Sequence, residues 1–337
     1  MLTILTASDF KKMRREKLLD YALYADEAAD LSMRISRTTK RMEDAEFLRE
    51  KTAAELMRMT RGRAEYAIDF LTLSYSAGTS VEDMREFYPS ILHYWEEFAK
   101  YDKSYDDSPE SQGAQVAHFG LKGDDFEMVN RMVCFGILLG WTEFLPRVAA
   151  LLDYRNSEMD GMLERLFQNF VPDRAAPPDE CNRHLPYFKT LKIFSAGPEN
   201  RTLLMQQYLQ EWYHASRREP YYDSHKGGAS FMGYWSWEAA AITFLLNIED
   251  VTYRDAGFYP SDLVAYARSN RTALLNEEGL HGASGELRAK SGEVCPVSGL
   301  WETLDPPVQQ KIFEKGEVII DFESAYGLTV WIFKGNT

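Results

Sequence analysis

The chain has 337 residues, of which 45% are hydrophobic, and a formal net charge of −14. That length and apolar content can bury a substantial core, in two units or one large helical domain. So acidic a balance argues against direct nucleic-acid binding, which needs Lys and Arg to neutralise phosphates, and for basic partners instead.

Residues 9–37 and 43–75 carry apolar side chains at three-to-four spacing and read as helices: Leu18, Leu19 and Ala22, then Phe47, Leu48, Leu56 and Met59, then Tyr66, Ile68, Phe70 and Leu71. Gly78 stops the second, and Thr79 or Ser80 caps a third at 81–101. Residues 102–123 are polar and read as a loop. Asp124 opens an apolar helix at 126–139, and shorter helices follow at 143–152 and 158–170. Pro172, Pro177 and Pro178 mark 171–183 as a linker. Helices resume at 186–194 and 199–218.

Next comes a helical hairpin. Ser236 is a candidate N-cap, and Trp237, Ala240, Ala241, Phe244 and Leu245 form an apolar stripe. Asn247, Glu249 and Asp250 end that helix; Pro260 starts another, with Leu263, Val264 and Ala267 facing a core. From Gly282 onward, Gly285, Gly292, Gly299, Pro296, Pro306 and Pro307 preclude a long helix. Residues 316–322 and 326–333 read as short strands, with Glu323, Ser324 and Ala325 between them. The expected fold is mainly α, a multi-helix bundle or array with a small C-terminal β appendage. Its expected domains are 1–171, 172–281 and 282–337.

Chemistry is sparse. The histidines His93, His118, His184, His214, His225 and His281 make no metal-ligand spacing, and no phosphate loop, dinucleotide fingerprint or nucleophile elbow occurs. Cys134, Cys181 and Cys295 are odd in number and far apart, so neither a disulfide framework nor a zinc knuckle is expected. No metal or cofactor is expected. No apolar run reaches about 18 residues, which argues against a membrane span. The start lacks a basic n-region, so no signal peptide is read there and a cytoplasmic location is expected. Only Tyr-Tyr-Asp-Ser-His-Lys-Gly-Gly at 221–228 looks like an active-site loop, and it also reads as a loop packed onto the Trp235 helix.

Gly-Tyr-Trp-Ser-Trp-Glu-Ala-Ala-Ala at 233–241, followed by Tyr253-Arg254-Asp255 and Phe-Tyr-Pro-Ser-Asp-Leu-Val at 258–264, resembles the C-terminal motif of the PoNi family, the polymorphic-nuclease immunity proteins of bacteria. Tyr75-Ser76-Ala77-Gly78 resembles the family's N-terminal Tyr-Ser-x-Gly turn. The resemblance runs roughly over 17–268. Residues 292–301 and 326–331 are similar to a short tail module of other secretion-associated immunity proteins. The resemblance implies an all-helical, non-enzymatic inhibitor of a cognate basic antibacterial DNase, often one carried by a type VI or related secretion system.

Two acidic sets are candidate toxin contacts: Glu96, Glu97, Asp102, Asp106 and Asp107, and the hairpin connector Glu249, Asp250 and Asp255. Asp223 joins them from the 221–228 loop. The first set has few apolar neighbours in sequence, so its charges are expected at the surface and dispensable for folding. Met13, Met33, Met57 and Met59 would suit a homodimer seam or an ordinary core. Two other functions compete: a small-molecule hydrolase or transferase using residues 223–226, and a helical scaffold or adaptor.

Overall fold

Side-chain caps set where the first helices begin. Thr6 caps α1 (Ala7–Met13), Asp20 caps α2 (Tyr21–Met42) and Asp44 caps α3 (Ala45–Arg49). Thr52 caps α4 (Ala53–Ala77) in a reciprocal box with Glu55, and Ser80 caps α5 (Val81–Asp106). Each oxygen takes a backbone N–H that the first helical turn leaves unpaired. The predicted helix at 9–37 is therefore two, and so is that at 43–75, because Asp20 and Thr52 restart the chain where apolar spacing runs on. Gly78 ends α4 at φ 107°, where a Cβ would collide with the Met13 carbonyl.

The structure is a computed structural model. It describes residues 1–113, 116–123, 125–157, 159–227, 231–276, 287–303, 308–322 and 329–335, with backbone alone over 271–276. The starts assigned to Asp124 and Glu158, the glycines at 282 and 285, and the turn at 323–325 lie outside the described residues.

Helix α5 carries Pro89 in its interior. Proline has no N–H to offer the carbonyl four residues back, that of Arg85. The Trp141 indole N–H donates to that carbonyl at 2.8 Å, and the Arg85 guanidinium lies 4.3 Å from the Trp141 ring centroid. The helix therefore runs unbroken to Asp106, five residues past the predicted end.

Then follow α6 (Asp125–Leu138), α7 (Leu145–Asp153), α8 (Gly161–Phe167), α9 (Thr190–Ser195), α10 (Pro198–Ala215), α11 (Trp237–Leu245) and α12 (Ser261–Asn276). Among the described residues the protein is mainly α, as expected. Two compact units divide it, Met1–Val264 and Ala265–Thr337.

In the first unit α4 packs against both α2 and α5, and α11 packs against α6. From Phe70 to Ala77 every α4 residue is buried. Residues 171–183 have no regular structure but are tied to α8. Arg174 binds Glu164 at 2.5 and 2.6 Å, Arg165 donates to the Pro178 carbonyl at 2.7 Å, and Asp160 accepts from the Asn182 N–H at 2.7 Å. Met13 and Met33 are exposed, while Met57 and Met59 are half-buried.

The second unit holds a four-stranded antiparallel sheet: β1 (Arg288–Lys290), β2 (Gly299–Thr303), β3 (Gln310–Phe313) and β4 (Val330–Gly335), in the order β1-β4-β2-β3. Trp301, Phe313 and Trp331 are its main core residues, closed by Ala289, Cys295 and Ile319. Residues 316–322 are not the strand expected of them. They contribute one isolated bridge, Val294 to Val318, and Val318, Ile320 and Phe322 are exposed. Trp301 lies instead on β2, one of the two inner strands. No helix of the described residues is long and apolar enough to cross a membrane.

Candidate functional site

The hairpin built from the aromatic motif is buried on nearly every side. Trp237, Ala239, Ala240, Ala241, Ile242, Thr243 and Phe244 are all buried, so the predicted stripe is one face of a helix enclosed on most sides. Asn247 ends α11 in the left-handed region at φ 49°. The Ile248 N–H reaches the Thr243 carbonyl at 2.9 Å and the Asn247 N–H that of Phe244 at 3.2 Å, a Schellman closure. Ser236 sits at the N-cap but makes no cap bond. Its hydroxyl donates to Glu238 Oε1 at 2.5 Å.

Glu238 is the hub of the motif, only 1% exposed. Besides Ser236, its Oε1 accepts from the Tyr208 hydroxyl at 2.6 Å and the Trp212 indole at 2.8 Å. Its Oε2 accepts from Asn130 Nδ2 at 3.3 Å. One carboxylate thus gathers α6, α10 and α11. Burial, and then the Glu238 charge, hold the Tyr208 phenol far above its ordinary pKa. The Glu-Ala-Ala part of the motif is the anchor of a core.

The same motif is tied to the Tyr-Ser-x-Gly turn at the end of α4. The Ser76 hydroxyl donates to the Met232 carbonyl and accepts from the Trp235 indole at 2.8 Å. Gly233 is needed here: at φ 97° a Cβ would overlap both Ser76 Oγ and Trp235 Nε1. The Tyr75 ring meets Trp235 and Trp237 edge-on at 4.9 and 5.2 Å, and its hydroxyl donates to Asp262. Arg15 pairs with the same Asp262 at 2.5 Å and lies over the Tyr75 ring. Nothing in the sequence signalled that the two motifs touch.

Beside the C-terminal motif, against α4 and α6, opens a cavity of about 340 Å³. Trp212, Tyr221, Trp235 and Trp237 form its aromatic wall, and Asp69, Thr72, Glu127 and Arg131 supply polar groups. Arg131 is engaged with Asp69 at 2.8 Å and Thr72 at 3.1 Å. Glu127 Oε2 accepts from the Tyr187 hydroxyl at 2.8 Å. Removal from water pushes the Glu127 carboxyl up to about 7; Arg131 and the Tyr187 bond pull it down, while the Glu238 charge pushes it up. Sequence reasoning missed Glu127, because a lone acid on an apolar helix shows its surroundings only after folding.

The loop at 221–226 engages its polar groups with one another and with Tyr213 and Tyr234. Asp223, half-exposed and at φ 58°, pairs with Lys226 at 2.7 Å and accepts from the Tyr213 hydroxyl at 2.8 Å. His225 Nδ1 meets the Tyr234 hydroxyl at 2.6 Å. Ser224–Lys226 is one turn of 3-10 helix packed onto the motif. Among the described residues no three His, Cys, Asp or Glu side chains are grouped to hold a metal ion.

The acidic candidates divide by exposure. Glu96 is buried against Arg147 in a two-pronged pair at 2.6 Å. Asp102 is buried against His118 at 2.7 Å, and that imidazole stacks on Tyr154 at 4.0 Å. Asp106 has a covered side chain paired with Arg155; removal from water still raises its pKa, ahead of Arg155's opposite pull. Asp250, 1% exposed, accepts from Arg254 at 2.7 Å and the Tyr259 hydroxyl at 3.1 Å, so it braces the connector. The expectation of dispensable surface charges is corrected for Glu96, Asp102 and Asp106: their arginine and histidine partners lie on later segments. Glu97 is half-exposed and paired with Arg63. Asp107, Glu249 and Asp255 are exposed.

Fold and site define a mainly helical protein built on an aromatic core that joins two motifs distant in sequence. The description "PoNe immunity protein (PoNi), N-terminal" matches residues 15–149, and "PoNe immunity proteins (PoNi), C-terminal" matches residues 158–263. The chain belongs to the PoNi family of immunity proteins. The crystal structure of protein PA2201 from Pseudomonas aeruginosa is similar in fold, with a TM-score of 0.62 at 19% identity, over 74% of this chain and 89% of that one. No curated protein matches.

Proposed function

We propose that this protein neutralises a cognate antibacterial DNase by tight one-to-one binding, in the cytoplasm, as the immunity partner of a toxin delivered by a type VI or related secretion system. The observation that carries the reading is the pair of family matches, which together span both halves of the helical unit. Charge supports it. A DNase must present Lys and Arg to its substrate, and a partner of net charge −14 complements that surface and speeds encounter. The closed hydrogen bonding of Asp223, His225 and Lys226 favours binding over turnover at that loop.

Docking falls to the exposed acids Asp107, Glu249 and Asp255. Co-expression with the co-encoded nuclease should restore growth and leave the chromosome intact; equal killing with and without this protein would sink the reading. Asp107→Lys, and separately Glu249→Lys with Asp255→Lys, should slow association at low salt and leave the melting temperature within about 1–2 °C, since exposed charges contribute little to stability. The defect should fade near 1 M salt, where screening acts over about 3 Å. If neither variant associates differently at any salt concentration, these acids are not the docking surface.

A further inference from the structure

The aromatic cavity beside the C-terminal motif has a composition that specifies a ligand. Trp212, Tyr221, Trp235 and Trp237 line it, aromatic rings of the kind that attract a cation. The polar groups are unevenly committed. Asp69 already holds Arg131. Glu127 is held by one phenol, on Oε2, and among the described residues no hydrogen bond reaches its Oε1. A carboxylate drawn out of water beside aromatic rings, with an acceptor to spare, has no ion pair of its own among the described residues, since the nearby Arg131 is bonded to Asp69 and Thr72.

We propose that this cavity receives one organic cation, an arginine or lysine head on its apolar stem, presented by the bound nuclease. Size fits that occupant: about 340 Å³ lies at the small end of ligand sites, roughly 300–1,000 Å³, with room for a side chain but not for a folded peptide segment. Charge excludes the alternatives. Arg131 is spent on Asp69 and Thr72, so an anion would meet the uncompensated Glu127 carboxylate, and a neutral apolar group would strand it. The site is also preorganised. Trp235 is fixed by Ser76, Trp212 by Glu238 and the Gly233 bend by the lack of a Cβ, so little ordering remains to oppose binding. Arginine fits the wall best, because its planar head stacks on rings and bonds a carboxylate together. This inference rests on the immunity reading for the source of the cation. A side chain seated here is one that the nuclease no longer offers to a phosphate.

The test uses Nα-acetyl-arginine methylamide as probe and its neutral citrulline counterpart as control, read by the fluorescence of the cavity tryptophans in the full chain. The arginine probe should bind saturably and about tenfold or more tighter than the citrulline compound, roughly the 1.4 kcal/mol scale of one desolvated cation contact. Glu127→Gln, checked for an unchanged fold by circular dichroism, should abolish that preference, and Trp235→Leu should weaken the arginine probe in the same way. Bound nuclease should block the probe. Absence of saturable binding, or equal binding of the two compounds, overturns the cation site and leaves the growth-rescue result standing. Probe binding that persists at full strength in the nuclease complex overturns the nuclease as its source. Failure of the wild-type protein to rescue growth removes the immunity reading while the probe result stands by itself.

Discussion

Glu238 offers the strongest test of the view that the motif's acid is an internal anchor. In Glu238→Ala four buried donors lose their acceptor: Ser236, Tyr208 and Trp212 at Oε1, and Asn130 at Oε2. The two hydroxyls can rotate toward other acceptors; the Trp212 N–H and the Asn130 amide cannot follow as easily. At about 1–3 kcal/mol for each orphaned buried donor, two fixed donors cost about 2–6 kcal/mol. Relief from burying a carboxylate offsets part of this, which places the net loss in the lower part of that range, about 2–4 kcal/mol. Glu238→Gln keeps one oxygen for the three Oε1 donors and should cost about 1–2 kcal/mol. Urea denaturation at pH 7.5 reads both, as a lower midpoint at unchanged slope. An alanine variant within about 0.5 kcal/mol of wild type, or a glutamine variant as damaged as the alanine one, would refute the donor accounting. Nuclease affinity per folded molecule should be unaltered in the glutamine variant; a large loss there would mean that the carboxylate touches the partner.

Two further outcomes follow from the cavity. The Glu127 carboxyl is raised from 4.5 to about 7, so the folded state holds its proton more tightly than the unfolded chain does. Its contribution is fully present below about pH 4.5 and is lost as pH rises through 7, a swing of up to about 3 kcal/mol. Glu127→Gln should flatten that part of the stability profile between pH 5 and 8, and urea midpoints that fall in parallel for both proteins would contradict the assignment. Gly233→Ala forces a left-handed residue and an overlap with Ser76 and Trp235. It should cost about 2–4 kcal/mol and change tryptophan fluorescence, whereas a melt identical to wild type would refute the close approach.

The helices were legible because their signal is local. The apolar spacing of Ile68, Phe70 and Leu71 or of Trp237 and Ala241 reports a buried face wherever that face later packs. Breaks were less legible: Leu18 and Leu19 keep the apolar spacing, yet one is exposed and the other buried, and Asp20 starts a new helix behind them. The strand at 316–322 was misread because β-branched residues fit any pleated surface, and only a paired neighbour makes a strand. The acids failed for a related reason. Glu96 finds Arg147 and Asp106 finds Arg155, about fifty residues away in each case, and composition does not record such pairings. The cavity was invisible for the same reason: Glu127, Tyr187 and Trp235 meet only in three dimensions.

The stitch between Tyr75 and Asp262 spans 187 residues, and that between Ser76 and Met232 spans 156. Synthesis of the longer interval takes roughly 10–40 s at about 5–20 residues per second. Until Met232 and Trp235 are made the Ser76 hydroxyl lacks both its partners, and until Asp262 is made the Tyr75 hydroxyl lacks its own. The order of synthesis therefore sets when this patch can be covered by its partners. On the proposed function, protection would come only from chains already made past residue 262, where the two motifs can be joined.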